Sequence, residues 1–154
     1  MAVYFFDSSA LVKRYVQETG SAWVQALCQQ ASPQDQYIAR IAGVEVISAI
    51  ARRGKAGDLS PSALATALNR FHEDFARAYE IVEISPAIVA RAMEFARRRF
   101  LRGYDAVQLA VASGLHSVRQ ILSLPVLTLV SADANLNSAA VAEGLVVGNP
   151  NDHL

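Results

Sequence analysis

Four acids carry most of the chemistry open to this chain: Asp7, Glu45, Asp105 and Asp133. Asp7 ends the apolar run Ala2 to Phe6, and Asp133 comes just after Pro125 to Val130, a stretch of strong β character. Ligands of open parallel sheets collect beyond the carboxyl ends of the strands. If these two runs are parallel neighbours, both carboxylates therefore share one edge of a sheet. Glu45 stands in a helical pattern among Ile41, Ala42, Val44, Val46, Ser48 and Ala49. A carboxylate in such company must be protonated, paired or bound to a cation, because burying an unpaired charge is expensive. Arg52, seven residues on, is too distant to be its obvious intrahelical partner. Asp105 heads a segment, Ala106 to Ala112, in which Gln108 is the only polar side chain; a helix apolar all round belongs in a core.

Each acid also has a commonplace structural account. Asp7, Ser8 or Ser9 can cap a first helix, and Ser131 or Asp133 a last one. Asp105 with Gln108 reads as a capping box, with Tyr104 and Leu109 as the hydrophobic staple. Glu45 can be a salt-bridged structural acid. Taken together, however, acids at element ends plus one in an apolar helix make an oxygen-rich cluster. Magnesium and manganese favour hard oxygen ligands and retain waters, which suits scattered carboxylates. His72, His116 and His153 fall outside the set, which argues against a histidine zinc site. No dinucleotide, P-loop or nucleophile-elbow glycine motif is present. The remaining residues support metal-assisted phosphate chemistry, in which a divalent ion polarises a phosphate and lowers the pKa of attacking water.

The elements that must position these acids alternate between strand and helix. Strands are predicted at Ala2 to Phe6, Tyr37 to Ala39, Tyr79 to Ile84, Pro125 to Val130 and Leu145 to Val147. Helices are predicted from Ala10 to Gln17, Trp23 to Ala31, Ile41 to Arg53, Ser60 to Ala78, Ser85 to Leu101, Asp105 onward and Ala134 to Ala142. Ser60-Pro61 and Ser85-Pro86 are start signals, Gly54 to Asp58 reads as a loop, and Gly144 suits a left-handed helix end. This alternation predicts an α/β fold with a parallel, three-layer arrangement, and no linker or repeat divides residues 1–154.

Composition narrows the classes further. A hydrophobic share of 53% and a charged share of 18% over 154 residues fit a compact domain with a real core. Lys plus Arg and Asp plus Glu are 14 each, so no overall field recruits a polyanion, although local basic patches remain open. Lys13 and Lys55 are the only lysines; the remaining cations are Arg, which forks onto phosphate and carboxylate. Cys28 is the single cysteine, which excludes a disulfide framework and suggests a small core residue. Neither a signal peptide nor a membrane span is read from the sequence, so a cytoplasmic location is expected.

Four stretches in register carry a family resemblance: Phe6 to Lys13, Val44 to Ala49 around Glu45, Tyr104 to Ala110, and Ser131-Ala132-Asp133 followed by Leu136, Ala139-Ala140 and Gly144-Leu145. Together they resemble the PIN-domain family, and within it the VapC-type toxins of toxin–antitoxin pairs. The resemblance spans Asp7 to Pro150. It implies a PIN-like α/β/α sandwich with a mostly parallel central sheet and a metal-dependent endoribonuclease using Mg2+ or Mn2+. By the match, Asp7, Glu45, Asp105 and Asp133 are the catalytic and metal-site acids, the family varying around the last of them. Ser9 stands where the family often has a hydroxyl residue. The resemblance also implies an RNA substrate, a homodimer and a cognate antitoxin covering the cleft. The helical hairpin around Gly54 to Asp58, with its flanking helices, is the expected antitoxin contact. Arg14, Arg98 and Arg102 are candidate RNA-phosphate contacts, against the plainer role of Arg97, Arg98, Arg99 and Arg102 as a solvated face near a helix end. Tyr15 or Tyr104 could stack on a base.

Rival readings are a phosphoaspartyl phosphatase or a receiver-like domain. The first wants a second Asp where Ser9 stands, and the second a late lysine, which the sequence lacks after Lys55. The non-enzyme alternative is a PIN-fold protein that binds RNA or a partner without cutting.

Overall fold

In the computed structural model, which describes residues 2–154, strands and helices alternate along the chain. Strand β1 (Val3–Phe6) leads into the short helix α1 (Ser8–Leu11), a 3-10 turn at Val12–Arg14 and helix α2 (Ser21–Gln30). Strand β2 (Gln36–Ala39) is followed by α3 (Ala42–Ala56) and α4 (Pro61–Arg77), then β3 (Glu80–Val82), α5 (Pro86–Arg99) and α6 (Gly103–Ile121). Strand β4 (Leu127–Val130), α7 (Ala134–Ala142) and β5 (Val146–Gly148) complete the order.

All five strands run parallel, in the order β3-β2-β1-β4-β5. Phe5 pairs with Leu129 and Phe6 with Val130, so β1 and β4 end side by side. The chain builds outward from β1 in one direction through β2 and β3, and in the other through β4 and β5. The crevice at that switch is where such sheets hold ligands.

Side-chain alternation divides the core into two. Phe5 and Leu129 pack on one face with Phe95, Leu101, Leu109 and Leu136 from α5, the α5–α6 junction, α6 and α7. Phe6 and Val130 pack on the other with Leu11, Val24, Val46, Ile50 and Phe71 from α1 to α4. Each fully buried Phe contributes about 2–3 kcal/mol by leaving water. The sandwich of two helical layers about a parallel sheet is the expected one.

Helix ends follow the chemistry of their sequences. Ser60 and Ser85 accept from the backbone N–H of Ala63 and Ile88 at 3.1 and 3.2 Å, with Pro61 and Pro86 at the first helical position. Gly144 has φ +84, as a left-handed helix end requires. Several boundaries differ from expectation, two of them by most of the segment. The helix predicted from Ala10 to Gln17 is a single α-turn and a 3-10 turn. The loop predicted at Gly54 to Asp58 is largely helix, because α3 continues to Ala56. Gly54 is needed there for packing rather than for a bend: a Cβ on it would lie 2.6 Å from Leu64 Cδ2 of α4.

Candidate active site

Asp7 is the first residue beyond β1 and caps α1. Its Oδ1 accepts from the Ala10 N–H at 3.1 Å and from Ser9 Oγ at 2.7 Å. Both bonds fall on Oδ1, and the Ser131 hydroxyl is a further hydrogen-bonding neighbour of the carboxyl. Ser9 Oγ in turn accepts from Ala132 N–H at 2.9 Å, tying the turn after β1 to the turn after β4. Asp133 caps α7, its Oδ1 accepting from Leu136 N–H at 2.8 Å. The capping accounts of Asp7 and Asp133 therefore hold, and so does their placement at one edge of the sheet. Capping uses one oxygen of each carboxylate.

Glu45 reaches the same place from the first turn of α3. It has no ion pair among the described residues. Ser8 Oγ donates to its Oε2 at 2.8 Å and Gln108 Nε2 donates to its Oε1 at 2.8 Å. Arg52 donates instead to Ser48 at 2.7 Å. Asp105 stands in the first turn of α6, which begins two residues earlier than expected, with Arg102 as the N-cap residue. The capping box is thus corrected: Asp105 does not cap, and Gln108 spends its amide on Glu45. The staple is corrected too, since Tyr104 is 59% exposed while Leu109 is buried.

Asp7, Glu45, Asp105 and Asp133 all line one cleft of about 720 Å³, with Ser8, Ser9, Arg52, Arg102 and Tyr104 among its other walls. Arg102 crosses its mouth, donating from Nε to Asp105 at 3.0 Å and from a terminal nitrogen to Asp133 at 3.2 Å. As the side chains stand, no three acid, histidine or cysteine side chains among the described residues are placed to hold one ion. Each carboxylate is drawn to its own donors, and Arg102 supplies the positive charge for two of them.

The electrostatics of the cleft are those of crowded, partly dry acids. Burial pushes Asp7 up from 3.8 to about 7, with Glu45 adding to the rise and Ser9 and Ala10 opposing it. Burial also raises Glu45, whose bonds from Ser8 and Gln108 oppose the rise and whose neighbour Asp105 adds to it. Asp105 is raised by burial, then by Asp133, while Arg102 pulls it down. Acids displaced in this way within a cleft are a mark of functional sites.

The arginines separate. Arg102 is at the site, but Arg14 is not. Its guanidinium donates to Tyr79 at 2.6 Å and pairs with Asp74 at 3.3 Å, on the side packed by α4. Arg98 pairs with Glu143 at 3.2 Å outside the cleft. Tyr15 is buried edge-on against Phe71, so of the two candidate stacking tyrosines only Tyr104 faces the cleft. Sequence reasoning missed Ser8, Gln108 and Arg52 as site residues. In the sequence Arg52 stands out only as a distant ion-pair partner for Glu45, which it is not, and it lines the cleft instead; the bonds of Ser8 and Gln108 cross between elements and leave no trace in the sequence.

With fold and cleft described, the class follows: residues 4–142 match the PIN-domain family model, and the chain belongs to that family. No curated protein matches it in sequence. Among solved structures it is similar to Mycobacterium tuberculosis VapC20, described as a sarcin-ricin loop cleaving toxin, at TM-score 0.62 and 14% identity over 88% of this chain and 94% of that one. It is similar to a Klebsiella pneumoniae toxin–antitoxin complex at TM-score 0.60 and 18% identity, covering 96% and 97%. A third likeness is FitAcB of Neisseria gonorrhoeae, at TM-score 0.60 and 17% identity, covering 99% and 100%. At these identities the likeness speaks to the fold.

Proposed function

We propose that this chain is a metal-dependent endoribonuclease that hydrolyses RNA phosphodiester bonds, and that it serves as the toxin of a toxin–antitoxin pair. The observation that carries the reading is the convergence of Asp7, Glu45, Asp105 and Asp133 on one cleft at the switch point of the sheet. A structural core has no use for crowded acids with raised pKa values; a divalent cation among them would relieve the crowding. The donor set fits Mg2+ or Mn2+, being all hard oxygen in a cleft roomy enough for retained water. Asp7, Glu45, Asp105 and Asp133 would hold the ion. When bound, it lowers the pKa of an attacking water and offsets charge on the phosphate.

The chain's own residues do the rest. Ser9 fixes one oxygen of Asp7, and Ser8 with Gln108 fixes both oxygens of Glu45, so neither acid has to be oriented during the reaction. Arg102, its side chain 78% exposed, is accessible to a phosphate oxygen of the substrate in place of Asp133. Arg14 and Arg98, held elsewhere, are not needed for this.

The toxin neighbours support an antitoxin partner for this chain. The exposed lip formed by Val44, Arg52 and Tyr104 is a surface such a partner could cover, and Val44 and Arg52 lie on α3, one of the helices flanking the Gly54 to Asp58 turn. We take residues 1–154 as one domain acting as a homodimer. Among the described residues no helix is long and apolar enough to cross a membrane, in keeping with work on RNA in the cytoplasm. The capping bonds of Asp7 and Asp133 favour one second reading, a PIN-fold protein that binds without cutting. Cleavage of cellular RNA by antitoxin-free protein, with and without divalent ions, separates the two.

A further inference from the structure

Phe100 occupies an unusual position. It ends α5 at φ 56 and ψ 33, in the left-handed region, and its side chain is 91% exposed. Glycine or asparagine commonly fills this place in a helix end, because other residues are strained there. Here a large aromatic ring takes the strain and then stays in water, contributing nothing to the core.

The ring borders a second cavity, of about 320 Å³, whose other walls are Arg99, Asn135, Ser138, Ala139 and Ala142. This cavity neighbours the acidic cleft along the chain: Arg99 and Phe100 wall the one and Arg102 to Asp105 the other, while Asn135, Ser138, Ala139 and Ala142 follow Asp133 of the cleft on α7. Positive charge is in excess beside it. Three guanidiniums face two carboxylates: Arg99 donates to Glu143 Oε1 at 3.0 and 2.8 Å, Arg98 lies 3.2 Å from that oxygen and 3.9 Å from Glu94, and Arg97 pairs with Glu94 at 2.6 Å. An aromatic face, a small alanine floor, an exposed amide and hydroxyl, and surplus arginine together match a nucleotide: a ring to stack, base edges to bond and a phosphate to neutralise.

We infer that Phe100 is the stacking platform for an unpaired base of the RNA, in a subsite adjoining the one where the phosphodiester is cut. The inference rests on the nuclease reading and adds to it a positioning residue, Phe100, that holds the strand beside the scissile bond.

The test is fluorescence anisotropy with a labelled single-stranded RNA decamer and with an abasic oligomer of the same length. Both are titrated with full-length Asp105→Asn protein in Mg2+, so that the strand survives. Adding Phe100→Gly should weaken the decamer about tenfold while leaving the abasic oligomer unchanged. The same change should raise the melting temperature, since glycine relieves the strained φ. Phe100→Tyr should bind within about twofold of the parent, as an aromatic face is retained. Equal loss of both oligomers would overturn the inference by showing a phosphate or structural effect. Unchanged decamer affinity would also overturn it and leave Phe100 to a protein partner. If the parent binds neither oligomer, the nuclease reading itself falls and takes this inference with it.

Discussion

Gln108 donates its side-chain amide to Glu45 at 2.8 Å, joining the central helix α6 to the wall of the cleft on α3. The two residues are 63 positions apart, and Gln108 is buried with its own Oε1 unpartnered. A buried amide spent on orienting one carboxylate is a costly arrangement for stability alone. It makes sense where the direction of that carboxylate matters. Gln108→Leu should therefore lower the unfolding free energy by about 1–3 kcal/mol, by leaving Glu45 short of a donor. It should also weaken Mn2+ binding about 10–100-fold. Denaturant unfolding and calorimetric titration measure the two separately; a loss of stability with unchanged metal affinity would reduce Gln108 to a core residue.

Asp7 makes stability depend on pH in the metal-free protein. Its pKa is raised from 3.8 to about 7, so between those values the folded chain holds a proton that the unfolded chain has released. Stability contributed by the neutral carboxyl is present below pH 4, is lost as pH rises through the window, and is gone above about 7; the full change corresponds to about 4 kcal/mol. Glu45 and Asp105 are raised in the same sense and steepen the fall. Asp7→Asn keeps the cap on Ala10 but cannot ionise. Unfolding in EDTA at pH 5 and pH 8 should show a smaller difference for this variant than for wild type, and an equal difference would contradict the environment assigned to Asp7.

Arg102 and a divalent ion compete for Asp105 and Asp133. Arg102→Ala should therefore bind Mn2+ more tightly than wild type, by a small factor given the exposure of the guanidinium. The same variant should bind RNA more weakly and reduce the slope of log affinity against log salt by about one. Opposite signs for ion and RNA would be hard to obtain from a merely structural defect. Loss of both affinities would show that Arg102 supports the loop instead.

Much of this was legible from short stretches of chain. Strands β1 and β4 are apolar and β-branched, and the acids closing them fall at the sheet edge because a parallel sheet leaves few other places. The stretch Ala106 to Ala112 is apolar but for Gln108, so the burial of this first half of α6 could be read without a partner. What failed were boundaries and directions. Arg102, not Asp105, is the extended residue before α6, and nothing local distinguishes a helix that starts at Gly103 from one that starts at Ala106. Arg14 is close to Asp7 in sequence, yet the tight turn after β1 carries it to Tyr79 and Asp74. Gly54 looks like a breaker, but it is the gap in α3 that accommodates Leu64. In each case the deciding contact came from another element.

The central claim is that the four acids hold an ion that cuts RNA, and cleavage tests it most directly. Antitoxin-free protein would be incubated with total cellular RNA in Mg2+, in Mn2+ and in EDTA, with Asp105→Asn treated identically. The variant gives up an ion pair whose Arg102 end is exposed, so its unfolding midpoint should stay close to that of wild type. The account predicts discrete fragments with either ion, none in EDTA, and a rate at least about a hundredfold lower for the variant. Cleavage that persists in EDTA, or that survives intact in Asp105→Asn, would contradict it.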